Sequence, residues 1–368
     1  MKGHALAHSL IVSFLLIASL STAVRAETFA YVSLDGENKI VVYSVDSTDG
    51  SLTRQSETKL DGSAGALCVS PSREFLFASV RSSGLLASFR IAPENGGITH
   101  INTAPAGVNP AFVSTDRRGR FLLTAYYTAG KITSHSIGVG GRISEKPVHE
   151  LATADKAHAI LTNRENRFVY VPHTGPNAIF QFQFDEDRGQ FAPTQPPRVE
   201  TGTGTGPRQL AFHPKLDVVY FDYEQGSAIA AFDLDRDSGR LRFRERLSTL
   251  PDSYQGSNSN ARIEMTPNGR FLYVANRGHN SLAGFAANSR TGALKSLGQT
   301  PTEPIPRGFS IDPTGRFIYA AGQSSGKLAA FRIAPNTGTL ARFATYAVGK
   351  RPWWVLVVDT MKLEAEGK

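Results

Sequence analysis

A short run of aromatic and β-branched residues recurs along almost the whole chain, and this repeat is the strongest constraint on the fold. Its clearest copy is RFLYVAN, at residues 270–276. We call the first aromatic or aliphatic residue of each copy its marker, and successive markers lie 46, 46, 47, 50, 53 and 46 residues apart. Near-constant spacing of this length indicates a repeat architecture. The markers are Phe29, Phe75, Phe121, Phe168, Val218, Phe271 and Phe317.

Each copy has the same internal pattern of β-rich runs separated by turn residues. In the sixth copy, an alternating run at 261–265 and the turn TPNG precede RFLYVAN, and the runs LAGFAAN and ALKSLGQ follow. Short runs joined by Pro, Gly and Asn turns indicate antiparallel hairpins. Four strands in a unit of this length are typical of a propeller blade. The sequence therefore predicts an all-β, seven-bladed β-propeller with four antiparallel strands per blade.

The two ends of the repeat predict how the ring closes. The first copy begins directly at its marker and lacks the strand that precedes every other marker. A matching apolar run, WWVLVV, is found at residues 353–358. We expect this C-terminal strand to join the N-terminal blade, because an open ring would leave unpaired strand edges.

The N-terminus has the pattern of a secretory signal peptide. A basic Lys2 precedes the apolar run at 10–20, and small residues lead to Ala26. This pattern predicts a signal at 1–26, a propeller domain at 27–360 and a polar tail at 361–368, with export to the periplasm or the medium. No other segment is long and apolar enough to cross a membrane, so no membrane association is expected after signal removal.

Composition argues against several functional classes. The formal charge of +8 falls to +6 without Lys2 and Arg25, that is, 38 basic minus 32 acidic residues. There is no block of Lys and Arg, so nucleic acid is not an expected partner. The histidines His135, His149 and His213 are scattered without ligand spacing, and we expect no metal or other cofactor. A nucleophile elbow for Ser/His/Asp catalysis is also absent from the sequence.

Equivalent positions of the repeat should meet at one mouth of the central channel. The start of the innermost strand and the end of the next strand lie at the same sheet edge in an antiparallel hairpin. Arginines at such a mouth are costly to bury unless a carboxylate or an anionic ligand meets them. The first set of positions contains Gly65, Ala111, His158, Arg208, Ala261, Arg307 and Trp353. The second contains Asp35, Arg81, Tyr127, Thr174, Glu224, Arg277 and Gln323.

Three segments carry a resemblance to a known family. They are GPRQLAFHP with YFDYEQ downstream, GRFLYVANRGHNSLAGF, and PRGFSIDPTGRFIYAAGQSSGKLAAFRI. In these segments the chain resembles the lactonase family of seven-bladed propellers, which includes propeller-type 6-phosphogluconolactonases and muconate lactonising enzymes. The resemblance extends over the whole predicted propeller and places the family's channel residues at His158, Arg208, Glu224 and Arg277. It implies hydrolysis of an anionic or sugar lactone, or the related lactonising reaction.

The residue roles follow from that chemistry, and two alternatives stay open. Either His158 or Glu224 is the catalytic base that takes the proton from water. A non-catalytic exported propeller that binds a ligand or a surface partner is the alternative to an enzyme. Two departures from the family pattern, His173 and Arg262, are expected to add a hydrogen-bonding group or positive charge near the mouth. The predicted substrate-binding residues are Arg208, Arg277, Arg307, Arg81, Tyr127 and Gln323.

Overall fold

The repeat folds into seven separate antiparallel sheets of four strands each, arranged around a channel. The computed structural model describes residues 27–360, and the predicted signal peptide and polar tail lie outside the described residues. Within that range no helix is long and apolar enough to span a membrane. The prediction of a seven-bladed all-β propeller is confirmed.

The first four blades take up the chain in sequence order, except for one strand supplied by the C-terminus. Blade 1 contains β1 (Thr28–Leu34), β2 (Lys39–Val45), β3 (Leu52–Lys59) and β28 (Pro352–Asp359). Blade 2 contains β4 (Ala64–Val69), β5 (Phe75–Val80), β6 (Leu85–Ile91) and β7 (Ile98–Pro105). Blade 3 contains β8 (Pro110–Thr115), β9 (Phe121–Tyr126), β10 (Lys131–Ser136) and β11 (His149–Ala152). Blade 4 contains β12 (Leu161–Thr162), β13 (Phe168–His173), β14 (Ala178–Asp185) and β15 (Gln190–Glu200).

The last three blades repeat the pattern without exception. Blade 5 contains β16 (Pro207–Phe212), β17 (Val218–Tyr223), β18 (Ala228–Leu234) and β19 (Leu241–Ser248). Blade 6 contains β20 (Asn260–Met265), β21 (Phe271–Asn276), β22 (Ser281–Ala287) and β23 (Leu294–Pro301). Blade 7 contains β24 (Pro306–Ile311), β25 (Phe317–Gly322), β26 (Lys327–Ile333) and β27 (Leu340–Ala347). Two short 3-10 helices are found at Asp35–Glu37 and Val139–Gly141.

The ring closes through β28, as the sequence predicts. This strand pairs antiparallel with β1, from Thr28 opposite Asp359 to Leu34 opposite Pro352. It is the innermost strand of blade 1, because it contacts β24 of blade 7 on one side and β4 of blade 2 on the other. First and last strands are therefore hydrogen-bonded in one sheet, and the ring has no open edge between its ends.

Adjacent blades are held together by a contact that explains the repeated motif. Gly338, in the outer hairpin of blade 7, has φ +72°, and a Cβ there would lie 2.3 Å from the ring of the blade 6 marker Phe271. The hydroxyl of Tyr273 donates a hydrogen bond of 2.6 Å to the Gly338 carbonyl. An equivalent hydrogen bond joins blades 7 and 1 at the ring closure, where the Tyr319 hydroxyl donates to the Gly50 carbonyl at 2.7 Å. An aromatic marker, a tyrosine two residues later and a glycine in the next blade thus form one interblade unit.

Candidate active site

The channel mouth is shaped by a β-bulge at the start of the innermost strands. In β16 the register passes from Pro207 to Gln209 and leaves Arg208 without a partner residue. Arg307 in β24 and Trp353 in β28 are skipped in the same way. A bulge bends the strand and redirects the extra side chain. The spacing of the internal repeat predicted these positions. The bulge that directs their side chains is visible only in the structure.

The two predicted sets of positions meet at one edge of the sheets. In every blade, the backbone N–H at the end of the second strand donates to a carbonyl two residues before the bulge position. In blade 5 this bond joins Glu224 N to Gly206 O at 2.7 Å, and in blade 7 it joins Gln323 N to Ile305 O at 3.0 Å. The remaining five pairs are Asp35–Arg351, Arg81–Ser63, Tyr127–Asn109, Thr174–Lys156 and Arg277–Ser259.

His158 departs from the predicted strand position. The strand β12 is reduced to Leu161–Thr162, and an isolated bridge pairs Ala157 with His173 nearer the mouth. The ladder is interrupted because Pro172 of the neighbouring strand has no N–H to donate. The Pro172 carbonyl still accepts a bond of 3.0 Å from the His158 N–H, which keeps this residue at the mouth.

Glu224 lies between two arginines. Its Oε1 accepts a hydrogen bond from Nη2 of Arg277, and its Oε2 lies 3.6 Å from Nε of Arg208. Burial would raise the pKa of Glu224, but Arg208 and Arg277 outweigh burial and hold the pKa below its ordinary value. Glu224 is therefore an ionised carboxylate at neutral pH.

Arg208 is almost fully buried and only partly partnered. Its side chain is 3% exposed, and within residues 27–360 neither Nε nor Nη1 has a hydrogen-bond partner. The separation of 3.6 Å from Glu224 is an ion-pair distance and too long for a hydrogen bond. Burial lowers the pKa of Arg208 to about 10, against the opposing effect of Glu224, so the guanidinium stays charged at neutral pH. Its buried N–H groups can donate hydrogen bonds to an oxygen of a ligand.

His158 lies at the same channel mouth in its neutral form. It is 6% exposed, and the ring of Tyr127 meets it edge-on with a centroid distance of 5.5 Å. Its Nδ1 is buried and has no hydrogen-bond partner in the part of the chain that the structure describes. Burial and the charges of Arg208, Arg307 and Arg81 lower the pKa of His158 well below its ordinary value. The imidazole is therefore neutral and has a lone pair available.

Trp353 stands between two further arginines on the opposite side of the mouth. The guanidinium carbon of Arg307 lies 3.6 Å from the centroid of its ring, and that of Arg81 lies 4.9 Å from it. Arg81 also donates two hydrogen bonds to Asn109 Oδ1, at 2.9 Å from Nε and 2.7 Å from Nη2. Trp353 was placed at the mouth by its repeat position but was not predicted to bind substrate, and Asn109 was not among the predicted residues.

Gln323 is placed on the rim but not in the charged cluster. It borders a shallow pocket between blades 7 and 1, together with Gly36, Ser325 and Arg351. Among the described residues its side chain makes no hydrogen bond to the charged cluster.

Asp222 is a buried acid that the sequence analysis missed. Its Oδ1 accepts the N–H of Gln209 at 2.6 Å, and its Oδ2 is buried with no hydrogen-bond partner among residues 27–360. Burial raises its pKa to about 7, although the charge of Arg208 opposes the rise. Asp222 precedes Glu224 by two residues, and side chains two residues apart in a strand lie on the same face. The alternation in YFDYEQ is therefore the sequence signal that could have predicted Asp222.

Neither departure from the family pattern adds a free group at the mouth. His173 is fully buried, with Nδ1 2.9 Å from the Val171 carbonyl and Nε2 2.9 Å from Thr153 Oγ1. The expectation that it lies available near the mouth is wrong, because both ring nitrogens are already hydrogen-bonded. Arg262 is paired with Glu264 and stacked on Trp354, with a distance of 4.0 Å from its guanidinium carbon to the ring centroid. Its charge is therefore neutralised by its own strand.

Comparison with known proteins identifies the family. The model of the family described as "Lactonase, 7-bladed beta-propeller" matches residues 31–357. A 6-phosphogluconolactonase of Pectobacterium carotovorum is 33% identical over 328 residues, covering 89% of this chain and 98% of that protein. One from an Enterobacter species is 32% identical over 310 residues, covering 84% and 93%. The chain belongs to the lactonase family of seven-bladed β-propellers.

A solved structure shares the fold. The periplasmic gluconolactonase of Pseudomonas aeruginosa superposes with a TM-score of 0.83 at 23% sequence identity. The match covers 91% of this chain and 99% of that one. The fold described above is thus shared with an experimentally determined structure.

Proposed function

We propose that the protein is a lactone hydrolase with its active site at the channel mouth. The observation that carries the proposal is a pair of buried, unpartnered groups at this mouth: Nδ1 of His158 and the Nε and Nη1 donors of Arg208. Ester hydrolysis needs a proton acceptor for water and positive charge where the oxyanion develops. The similarity to 6-phosphogluconolactonases over most of the chain supports the same activity.

His158 is the better candidate for the base. Both oxygens of Glu224 face guanidinium groups, which makes its carboxylate a poor proton acceptor. His158 is neutral and its Nδ1 is not engaged in any hydrogen bond within residues 27–360. In this scheme Glu224 holds Arg208 and Arg277 in place, so that their remaining donors point at the substrate.

The reaction then runs in two steps. The oxygen of a water molecule bonds to the lactone carbonyl carbon as His158 takes one of its protons, and the oxyanion of the tetrahedral intermediate is stabilised by Arg208. The bond between the carbonyl carbon and the ring oxygen breaks next. The imidazolium of His158 returns its proton to the leaving oxygen. The product is the open-chain hydroxy acid, and no other reactant is needed.

The test is hydrolysis by the purified protein, residues 27–368. Proton release is followed near pH 7, with enzyme-free controls, on 6-phosphogluconolactone, gluconolactone and a muconolactone. His158→Gln is expected to lower kcat by about 100- to 10,000-fold, as for loss of a general base. Glu224→Gln is expected to lower it by about 100-fold or more through the displaced arginines. The exposed His100→Gln in β7 serves as the matched control and should retain full activity.

Two results would contradict the proposal. Wild-type rates in both His158→Gln and Glu224→Gln would place the chemistry elsewhere. A well-folded wild-type protein that hydrolyses no lactone would instead indicate a propeller that only binds its ligand.

We also propose that the protein is exported to the periplasm or the medium. The support is the signal-like pattern of a basic Lys2, an apolar run at 10–20 and small residues before Ala26. Expression of the full chain followed by cell fractionation tests this. We expect a mature protein that begins at Glu27 and is found outside the cytoplasm. An intact N-terminus in the cytoplasmic fraction would refute export.

A further inference from the structure

We propose that Asp222 is a positioning residue of the active site, whose carboxyl group fixes the bulge at Arg208 and sets how much of the Arg208 charge is available to the substrate. This inference rests on the proposed lactonase activity. It adds a residue that acts on the reaction through Arg208 and not by contact with the reacting atoms.

Asp222 makes direct contact with the backbone of the bulge. Arg208 is the residue that the ladder between β16 and β17 skips. The next residue, Gln209, donates its N–H to Oδ1 of Asp222 at 2.6 Å. Because a bulge redirects its extra side chain, an acceptor that fixes the backbone beside the bulge also fixes the direction of Arg208.

The equivalent position in other blades shows that this backbone contact does not require an acid. In blade 2, Oγ of Ser79 accepts the N–H of Ala66 at 2.9 Å, so a hydroxyl group makes the same contact. Blade 7 has Ala321 at this position and still forms its bulge at Arg307. Backbone support alone therefore does not account for the one ionisable residue of the set. The set, four residues after each marker, is Ser33, Ser79, Ala125, Pro172, Asp222, Ala275 and Ala321.

Asp222 and Arg208 also have complementary hydrogen-bonding atoms that are not in use. Oδ2 of Asp222 is buried and has no hydrogen-bond partner among residues 27–360, and the same is true of Nε and Nη1 of Arg208. The whole Asp222 side chain is buried in the sheet beside Arg208. Charges interact strongly in such surroundings, because little water screens them. The charge of Asp222 therefore acts directly on the Arg208 guanidinium.

The groups around Asp222 bring its ionisation into the neutral pH range. Burial raises its pKa to about 7, against the charge of Arg208 in β16. Glu224, after β17, adds to the rise, and Arg277, after β21, opposes it. The neighbouring strand β18 places the apolar Ile229 opposite Asp222. Asp222 is therefore largely protonated at pH 6 and largely ionised at pH 8.

The charge state of Asp222 changes what Arg208 contributes to hydrolysis. When Asp222 is protonated, Glu224 is the carboxylate that opposes the Arg208 charge at ion-pair distance. When Asp222 is ionised, a second negative charge acts on Arg208 from within the blade. The oxyanion of the tetrahedral intermediate then meets a weaker positive field, so the rate of the chemical step falls.

We expect kcat of the wild type to fall by about 10-fold between pH 6 and pH 8. This is less than the loss of an oxyanion donor, because Arg208 stays in place. His158 adds no titration in this range, since burial and the neighbouring arginines hold its pKa well below its ordinary value.

The test measures kcat and KM at both pH values, with enzyme-free controls, for wild type and three variants. Asp222→Asn and Asp222→Ser keep an acceptor for the Gln209 N–H but remove the titrating proton. We expect both to retain the pH 6 rate of the wild type within about threefold at pH 6 and at pH 8. Asp222→Ala also removes the acceptor and should lower kcat by about 10-fold at both, because Arg208 is held less firmly.

A purely structural role of Asp222 would give a different pattern. The exposed Asp252→Asn is the matched control and should keep the pH dependence of the wild type. Equal losses of kcat in all three Asp222 variants would indicate a fault in packing and overturn the positioning role. An active wild type with the same kcat at pH 6 and pH 8 would also overturn it.

A measurement without substrate separates this inference from the proposed activity. The nitrogen NMR resonance of Arg208 Nε, assigned by its loss in Arg208→Lys, reports the charge beside it. We expect this resonance to shift with a midpoint near pH 7 in the wild type and to stay constant in Asp222→Asn. That result supports the coupling even if no lactone is hydrolysed, which would refute only the proposed function. A resonance that does not shift in the wild type would overturn the inference.

Discussion

The guanidinium of Arg262 lies 4.0 Å from the ring centroid of Trp354, although the two residues belong to blades 6 and 1, which are not neighbours. The same indole also meets Phe112 of blade 3 edge-on, with a centroid distance of 5.6 Å. Trp354 therefore reaches across the channel and contacts two distant blades. This residue forms a floor beneath the mouth that contains Trp353.

Replacing Trp354 by alanine should remove that floor. We expect the free energy of unfolding to fall by about 3–5 kcal/mol, because a buried indole that joins three blades is replaced by a cavity. Urea unfolding of Trp354→Ala measures the loss. Trp353→Ala is the matched control, since Trp353 is only partly buried, and its loss of stability should be clearly smaller. Equal losses would contradict a role of Trp354 in joining the blades.

Gly338 and Gly204 allow packing and backbone strain to be separated. Their φ angles are +72° and +73°, so alanine is strained to the same degree at both positions. At Gly338 the added Cβ would lie 2.3 Å from the Phe271 ring, whereas at Gly204 nothing lies within 4 Å. We expect Gly204→Ala to cost about 1–2 kcal/mol of unfolding free energy and Gly338→Ala at least about 2 kcal/mol more. Similar losses in thermal or urea unfolding would show that the interblade contact tolerates a methyl group.

Asp222 should make the stability of the protein depend on pH. An unfolded aspartate titrates at about 3.9, whereas the pKa of Asp222 in the fold is raised to about 7. Between these values the folded state binds more protons than the unfolded state. Its free energy of unfolding therefore decreases as the pH rises through this window, and the contribution is constant above it.

The variant Asp222→Asn should remove this contribution while keeping an oxygen for the Gln209 N–H. We expect it to be more stable than wild type by about 1–4 kcal/mol at pH 8 relative to their difference at pH 4. Urea unfolding at the two pH values gives the comparison. The exposed Asp252→Asn serves as the control and should follow wild type at both. A constant difference between Asp222→Asn and wild type across the range would mean that Asp222 stays ionised in the fold.

The repeat made the fold predictable because its spacing is a property of the sequence alone. The markers and the displaced run WWVLVV were sufficient to predict the blades and the closing strand. His158 was predicted within an inner strand, but the missing N–H of Pro172 shortens that strand, so this detail depends on a residue of the neighbouring strand. The length of a strand depends on its register and on the residues of the strand it pairs with, and the sequence of one strand alone does not give these.

The candidate site was predictable where a residue is ionisable and at an equivalent repeat position. Arg208, Glu224 and Arg277 satisfy both conditions, and the structure brings them into direct contact. The contributions of Trp353 and Asn109 depend on contacts between blades 1, 2, 3 and 7, which no local pattern reports. His173 was expected to offer a free hydrogen-bonding group, but its Nε2 is already hydrogen-bonded to Thr153 of another blade.

The closing strand β28 links the mouth to the order in which the chain is synthesised. Among the described strands, β28, which contains Trp353 and Trp354, is synthesised last, whereas β1, with which it pairs, is synthesised first. Six blades can begin to pair during translation, but blade 1 and the channel floor require the completed polypeptide. A chain truncated before residue 352 would therefore lack both the ring closure and the Trp353 side of the site. The candidate active site can form only after β28 has been synthesised.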